Sequence, residues 1–439
     1  MNKRKPGLAV VTGLLAFGFL KAQEVKPITL QEAVELSIKN SKQLKNSQAK
    51  IEEATATLKE AINNKLPDAK VSASYLRLNS ANVNLKTQNN NNGGGTPNIS
   101  QAMYGILNAS LPIYAGGRIR YGIEASKYLA EAAKLDADYD KEEVIQNTVE
   151  AYVNLYKAKS SVNLVKESLA ESQQRVKDFS NLEQNGLLPR NDLLKAELQS
   201  SNIELSLLDA ENNWQLANVS MDLLLGLPEK TELLPDSTLI DQNFTVKTLD
   251  EYVQTAYANR KDLASQDLRK KATETRVKSA KAEYYPGIAV TGGYIAADIP
   301  KIITITNAVN IGAGVSYNFG SLWKTKAKVQ QAEAKAKQEA IGESLLNDNI
   351  RLQVSQAYLN WLSSQKKIEV YTKAVELATE NYRIIKNKYN NSLATTTDLL
   401  DADVAQLQAR MNLAFVKADV VVIYNKLLET AGVLDQNIK

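Results

Sequence analysis

Residues 389 to 403 read Tyr-Asn-Asn-Ser-Leu-Ala-Thr-Thr-Thr-Asp-Leu-Leu-Asp-Ala-Asp, which sets Asp398, Asp401 and Asp403 just beyond an Asn/Ser turn in a 439-residue chain without histidine or cysteine. The missing side chains exclude a Ser-His-Asp or Cys-His nucleophile pair, a thiolate metal site and a disulfide. Carboxylates alone retain two kinds of chemistry: paired acids for glycoside cleavage and an all-oxygen site for Mg²⁺ or Ca²⁺. On a helix, Asp398 and Asp401 are spaced i and i+3 and share a face, while Asp403 points well away from it. Acids on one exposed helix face lack the opposed faces that glycoside cleavage needs, so no catalytic residue is assigned and no enzyme is expected. Within one chain the pair is a mild electrostatic cost. In a three-fold assembly it becomes two stacked rings of carboxylates, a cation-selective constriction. Some pKa values there should be raised, and multivalent cations attracted. The alternative is that Asp398 caps a helix after Thr395-Thr396-Thr397 and Asp401 is solvated. Neither a metal site nor a cofactor is expected.

At the N-terminus, Lys3, Arg4 and Lys5 precede an apolar run from Leu8 to Leu20 and then Lys21-Ala22-Gln23. This is the pattern of a secretory signal peptide, residues 1–22. The run is shorter than the ~20 residues of a spanning helix, and a lipid anchor would need a cysteine. Cleavage after Ala22 removes four bases and no acids, leaving 49 bases against 49 acids. No other stretch approaches ~18 consecutive apolar residues, so a membrane crossing by the exported chain has to be a β-barrel.

The chain is written twice. At a shift of 219, Thr29-Leu30-x-Glu32-x-Val34 meets Thr248-Leu249-x-Glu251-x-Val253, and Asn40, Pro67 and Tyr75 meet Asn259, Pro286 and Tyr294. At a shift of 206, Ala151-Tyr152-x-Asn154 meets Ala357-Tyr358-x-Asn360, and Asp192-Leu193-Leu194 meets Asp398-Leu399-Leu400. The difference in shift falls in an Asn/Gly-rich stretch, Thr87 to Pro97, read as a surface loop. The predicted halves span residues 28–226 and 247–434, joined by a linker at 227–246. Each opens with a helix capped by Thr29/Glu32 or Thr248/Glu251 and ending before Pro67 or Pro286. Alternation of period two then marks strands at about 69–78 and 105–114, and at about 288–297 and 310–319. In them Leu107, Leu111, Ile113, Ile311 and Val315 form an apolar face. Such strands have the length and alternation of a membrane barrel, although a hairpin packed on helices would alternate in the same way. Helical periodicity follows over about 118–183 and 190–226, and about 324–388 and 395–432. The longest of these would run roughly 100 Å, more than a compact domain requires. Leu194, Leu198, Leu205 and Leu208 step as in a coiled coil.

Four strands cannot close a barrel, and an open edge cannot lie in lipid, so several chains would have to share one. An export signal, a tandem half-repeat, two hairpins each followed by a very long helical hairpin, and Gly186-Leu187-x-x-x-x-Asp192 answered by Tyr389 and Asp398-Leu399-Leu400-Asp401-Ala402 resemble the TolC family of outer-membrane efflux channels. The resemblance covers about residues 28 to 434. It implies an α+β membrane protein with four β-strands per chain in a trimeric 12-stranded β-barrel, continued by a long α-helical coiled-coil barrel.

The resemblance further implies a homotrimer in the cell outer membrane with its helical part in the periplasm. Such a duct serves efflux or type I secretion with a periplasmic adaptor (membrane fusion) protein and an inner-membrane transporter of RND, ABC or MFS type, and binds no nucleic acid. It places Asp398 and Asp401 at the pore constriction, with Tyr389 and Asp192 as gate-closing contacts. Asn185, Gly186, Leu187, Asn391, Ser392 and Leu393 become the adaptor-docking hairpin tips, and the apolar strand residues face outer-membrane lipid. Ala394 stands where the family has a gate arginine, so a link to Asn191 is expected to be missing; Lys195 stands where the first half would carry its second aspartate. The competing expectation is a non-channel envelope coiled-coil protein, in which the same strand residues would face a protein core.

Overall fold

The computed structural model describes residues 25–81, 99–236, 238, 244–300 and 302–437. The expected signal peptide and the Asn/Gly-rich loop with Gly93-Gly94-Gly95 lie outside the described residues. The chain begins β1 (Val25–Ile28), α1 (Leu30–Asn40), α2 (Lys42–Asn63), β2 (Asp68–Ala81), β3 (Ile99–Ala115), α3 (Arg118–Gln184) and α4 (Arg190–Leu225). It continues β4 (Glu232–Pro235), α5 (Leu249–Asn259), α6 (Lys261–Lys281), β5 (Gly287–Ile299), β6 (Ile303–Ser316), α7 (Ser321–Asn390), α8 (Thr396–Thr430) and α9 (Leu434–Asn437). The described residues form two compact units, one from those within Met1–Asn40, Thr148–Asn243 and Gln365–Val422, the other from those within Ser41–Asn147, Phe244–Ser364 and Ile423–Lys439.

The helix expected to open each half is in fact two. The backbone leaves the helical region at Ser41, whose hydroxyl accepts from Leu44 N–H at 3.2 Å and so caps a second helix. It does so again at Arg260 (φ −62°, ψ 123°). Hydrophobic periodicity does not register a one-residue break, because the phase barely changes across it. Thr248 and Glu251 form a complete capping box. At the other repeat Thr29 caps Glu32 N–H at 3.2 Å, while the Glu32 carboxylate pairs with Lys26 at 2.7 Å.

The first unit contains a two-stranded parallel sheet, β1 with β4, that the sequence reading missed. Four residues per strand are too few for periodicity to show. Behind it Tyr152 is fully buried among Ile28, Leu155, Met221, Leu225 and Leu233. Its hydroxyl donates to the Ile28 carbonyl at 2.9 Å and accepts from Asp236 N–H at 2.8 Å, tying α3 to the end of each strand. Burial pushes this phenol up to about 12. Along α4 the buried seam is Leu193, Ala196, Ile203 and Ala210, whereas Leu194, Leu198, Leu205 and Leu208 stay exposed. The leucine-rich stripe expected to pack as in a coiled coil is thus the outer one in the protomer, and the inner seam is built mainly of smaller residues.

The second unit carries a four-stranded antiparallel sheet in the order β2-β3-β5-β6. Each strand is longer than expected, and β6 ends at Ser316, short of Phe319. Cross-strand partners share a face. One face therefore carries Val71, Leu107, Tyr294 and Val309 in one row, Ala109, Gly292 and Ile311 in the next, and Leu111, Val290 and Ala313 in the one after. The other carries Ser72, Asn108, Ser110, Thr291 and Asn310, with Gly293 and Gly312, and also Ile106 beside Ile295. A bulge between Pro112 and Tyr114 corrects the simple alternation: Tyr114 pairs with Ile288 and takes the place on the apolar face expected for Ile113. Val71, Leu107, Val309, Ile311 and Val315 are exposed, Ile311 by 86%, and Leu111 is half-buried. No described helix is long and apolar enough to cross a membrane.

Candidate functional site

Two helical hairpin turns in the first unit are built alike. After α3, Leu187 N–H donates to the Leu182 carbonyl at 2.8 Å and Gly186 N–H to Glu183 at 2.9 Å; after α7, Leu393 N–H donates to Lys388 at 2.8 Å and Ser392 N–H to Tyr389 at 2.9 Å. Both are left-handed helix terminations, with φ +70° at Gly186 and +59° at Ser392. Asn185 and Asn391 each donate from Nδ2 to a carbonyl one turn back, Asn181 at 2.6 Å and Asn387 at 2.8 Å. Each turn then presents one leucine to solvent, Leu187 at 74% and Leu393 at 76% exposure. The same backbone device thus holds an apolar side chain outward at both tips.

The acids that follow fall into different environments. Thr395 Oγ1 accepts from Asp398 N–H at 3.2 Å, and the Asp398 carboxylate accepts in return from Thr395 N–H at 2.9 Å and from its hydroxyl at 2.7 Å. Thr395 is therefore the cap of α8 and Asp398 closes a capping box with it, while both Asp398 and Asp401 are exposed. The Thr395 hydroxyl and then its N–H hold the Asp398 carboxyl below the usual carboxylate range. Within a protomer this is opposite in direction to the rise expected of crowded carboxylates. Among the described residues no group of three or more acids is placed to hold a metal ion.

Asp403, two residues on, is buried. It accepts from Arg175 Nη1 at 2.8 Å, and Arg175 Nη2 reaches the Tyr382 hydroxyl at 3.2 Å, so that α3, α7 and α8 meet in one polar contact. The side chains of Arg175 and Asp403 are only 10% and 7% exposed. Sequence reasoning missed Arg175 and Tyr382. The available signal was the rotation of Asp403 away from the exposed pair, since a carboxylate turned into the chain needs a buried partner.

Tyr389 stacks on Phe179 (centroids 5.6 Å apart) beside Leu193, Ala196 and Leu399. Asp192 pairs with Lys195 at 3.4 Å, and Lys195 also donates to Thr397 Oγ1 at 3.2 Å, joining α4 to the first turn of α8. Tyr389 and Asp192, expected to act together, share no hydrogen bond in the protomer. Next to them Arg175, Phe179, Leu182, Tyr382, Lys386 and Tyr389 help line an open groove of about 670 Å³.

The sequence model of the family described as "Outer membrane efflux protein" matches residues 33–227 and 252–433. The chain belongs to that family. It is 21% identical over 349 residues to the outer membrane efflux protein BepC of Brucella suis biovar 1 (strain 1330), covering 77% of this chain and 74% of BepC. Its fold is shared with CusC, solved in a study of folding and transmembrane channel formation, at 18% identity, TM-score 0.78 and 92% coverage of both chains. It is shared likewise with the outer membrane protein VceC of Vibrio cholerae, at 18% identity, TM-score 0.75 and coverage of 92% and 96%. This efflux protein is thus an outer-membrane channel of TolC-like fold with a periplasmic helical part, and the non-channel coiled-coil alternative is set aside.

Proposed function

We propose that three copies of this efflux protein close one twelve-stranded barrel and that Asp398 and Asp401 of each copy form the constriction of the resulting duct. The observation that carries this is the four-stranded sheet. One face is apolar and exposed, the other carries Ser, Thr, Asn and Gly alongside Tyr104, Ile106 and Ile295, and among the described residues β2 and β6 each pair on one side only. Four strands cannot close, and unpaired edges cannot rest in lipid. Eight strands from two copies would fill their interior with side chains, whereas twelve leave a lumen. The Ser, Thr and Asn side chains of that second face suit water.

In such a trimer the exposed Asp398 and Asp401 become two stacked carboxylate rings, favouring cations. Asp192 and Tyr389 act as gate-closing contacts. With Ala394 in place of an arginine, Lys195 supplies the cation near the first turn of α8. The paired tips, Asn185-Gly186-Leu187 and Asn391-Ser392-Leu393, present leucines to a periplasmic adaptor, through which an inner-membrane transporter delivers substrate. The duct itself carries out no chemistry. The test is single-channel recording in planar bilayers, with millimolar divalent or micromolar trivalent cation on the helical side. Cation-selective conductance blocked by these ions, with block relieved by Asp398→Ala plus Asp401→Ala, is expected. A folded trimer that conducts but is blocked equally well after the double substitution would remove these aspartates from the gate.

A further inference from the structure

Both long helices start just beyond the sheet. β3 passes through Gly116 and Gly117 (φ +64° and +91°) into α3, and β6 passes through Tyr317 to Gly320 into α7. A Cβ at Gly116 would collide with the Ala282 carbonyl, so the turn lies against the short 3-10 turn Ala282–Tyr284 that precedes β5. The three segments enclose a cavity of about 290 Å³, lined among others by Arg118, Glu283, Tyr285, Asn318, Ser321 and Lys328.

Three features of this cavity call for an anion. Ser321, the first residue of the 70-residue helix α7, is only 8% exposed, and its Oγ has no hydrogen-bond partner. A buried hydroxyl left unsatisfied is destabilising, and a ligand oxygen at this place would relieve it. A helix N-terminus favours negative charge. Arg118 forms no ion pair among the described residues, while Lys328 is matched by Glu283 at 2.7 Å, leaving one net positive charge on the lining. Tyr285 of the lining, and Phe319, Leu322 and Trp323 close to Asn318 and Ser321 in the chain, are all exposed, Trp323 by 67%. Aromatics of this kind mark the level at which a barrel meets lipid headgroups.

We infer that the cavity between the starts of α3 and α7 binds the phosphate of a phospholipid headgroup, with Ser321 Oγ and Arg118 donating to the phosphate oxygens and Phe319 and Trp323 lying along the acyl chains. This takes the sheet to be in the outer membrane. It does not depend on the aspartate gate, so conductance and lipid binding can fail separately.

The experiment is native mass spectrometry of the full-length protein in detergent, titrated with dioctanoyl phosphatidylglycerol, dioctanoylglycerol or inorganic phosphate. Phosphatidylglycerol should bind the wild type at least tenfold more tightly than dioctanoylglycerol does. Arg118→Gln plus Ser321→Ala should abolish that preference, and Arg118→Lys should retain most of it. Removing an unsatisfied hydroxyl does not threaten folding, which unchanged circular dichroism would verify. Lys324→Gln plus Lys326→Gln, charges outside the cavity, should leave the preference intact. Equal binding of the two lipids, or a preference that survives Arg118→Gln plus Ser321→Ala, overturns the site. Inorganic phosphate binding as tightly as phosphatidylglycerol overturns the lipid assignment.

Discussion

Asp403→Asn should loosen the helix that carries the proposed gate. Asp403 lies five residues after Asp398 and two after Asp401, and its contact with Arg175 at 2.8 Å anchors that part of α8 to α3. Both side chains are nearly sealed from solvent. Removing one partner of such a pair leaves a buried charge uncompensated, which costs about 3–5 kcal/mol. Tyr382 continues to bind Arg175, so about 2–4 kcal/mol is expected for Asp403→Asn. Replacing both partners with apolar residues of similar volume should cost far less, on the order of 1 kcal/mol, because no charge is left to desolvate. The assay is a double-mutant cycle over Arg175→Met and Asp403→Leu, read by denaturant unfolding and by amide exchange at the start of α8. The double variant should be more stable than the sum of the single losses predicts by at least about 2 kcal/mol. Additive losses, or single losses under ~1 kcal/mol, would refute the reasoning and make the contact an incidental ion pair.

Three further outcomes follow from the same structure. Burial, then the charges of Asp435 and Glu429, opposed by Lys261 and Arg260, push Glu142 from 4.5 to about 7. The unfolded chain gives up this proton near 4.5 and the native state near 7, so the contribution is fully present below about 4.5 and lost as pH rises to 7; Glu142→Gln should remove about 2 kcal/mol of that decline after allowance for solvent screening, and identical pH profiles of unfolding for both proteins would contradict it. At the tips, Ser392→Gly should stabilise by roughly 1 kcal/mol and Gly186→Ala destabilise by about 1–2 kcal/mol, since both positions have positive φ; local amide exchange in the last turns of α7 and α3 would report the change, and opposite signs would rule the turn geometry out. Ile311→Arg on the exposed sheet face should cost about 2–4 kcal/mol in lipid vesicles, measured by unfolding from the bilayer, against near-neutral behaviour if that face met water.

Local patterns were legible wherever an interaction is short in sequence. The caps at Thr29 and Thr248, the turns at Gly186 and Ser392, and the period-two strands all depend on residues within a few positions of each other. The absence of histidine and cysteine restricted the chemistry before any fold was considered. The exposed acid pair could be placed because i, i+3 spacing puts two side chains on one face of a helix.

What the tertiary structure alone decided are contacts between distant segments. β3 pairs with β5 between residues 174 to 195 positions apart in sequence, from Tyr114–Ile288 to Met103–Asp298, and so makes one sheet of two hairpins. No local pattern specifies that pairing, because hydrogen bonds between strands are backbone groups common to every residue. Arg175 finds Asp403 across 228 residues, and Tyr152 finds Ile28 and Asp236, for the same reason: what makes each favourable is burial, which exists only after the chain has packed. The bulge at Ile113 and the helix break at Ser41 lie between these cases, since the local sequence permits them and the neighbouring strand or helix decides them. The amino-acid sequence therefore determined the long elements, their turns and the class of duct, while packing determined the short parallel sheet, which stripe of α4 is core, which aspartate is locked inside, and where a buried serine hydroxyl shares a cavity with an arginine.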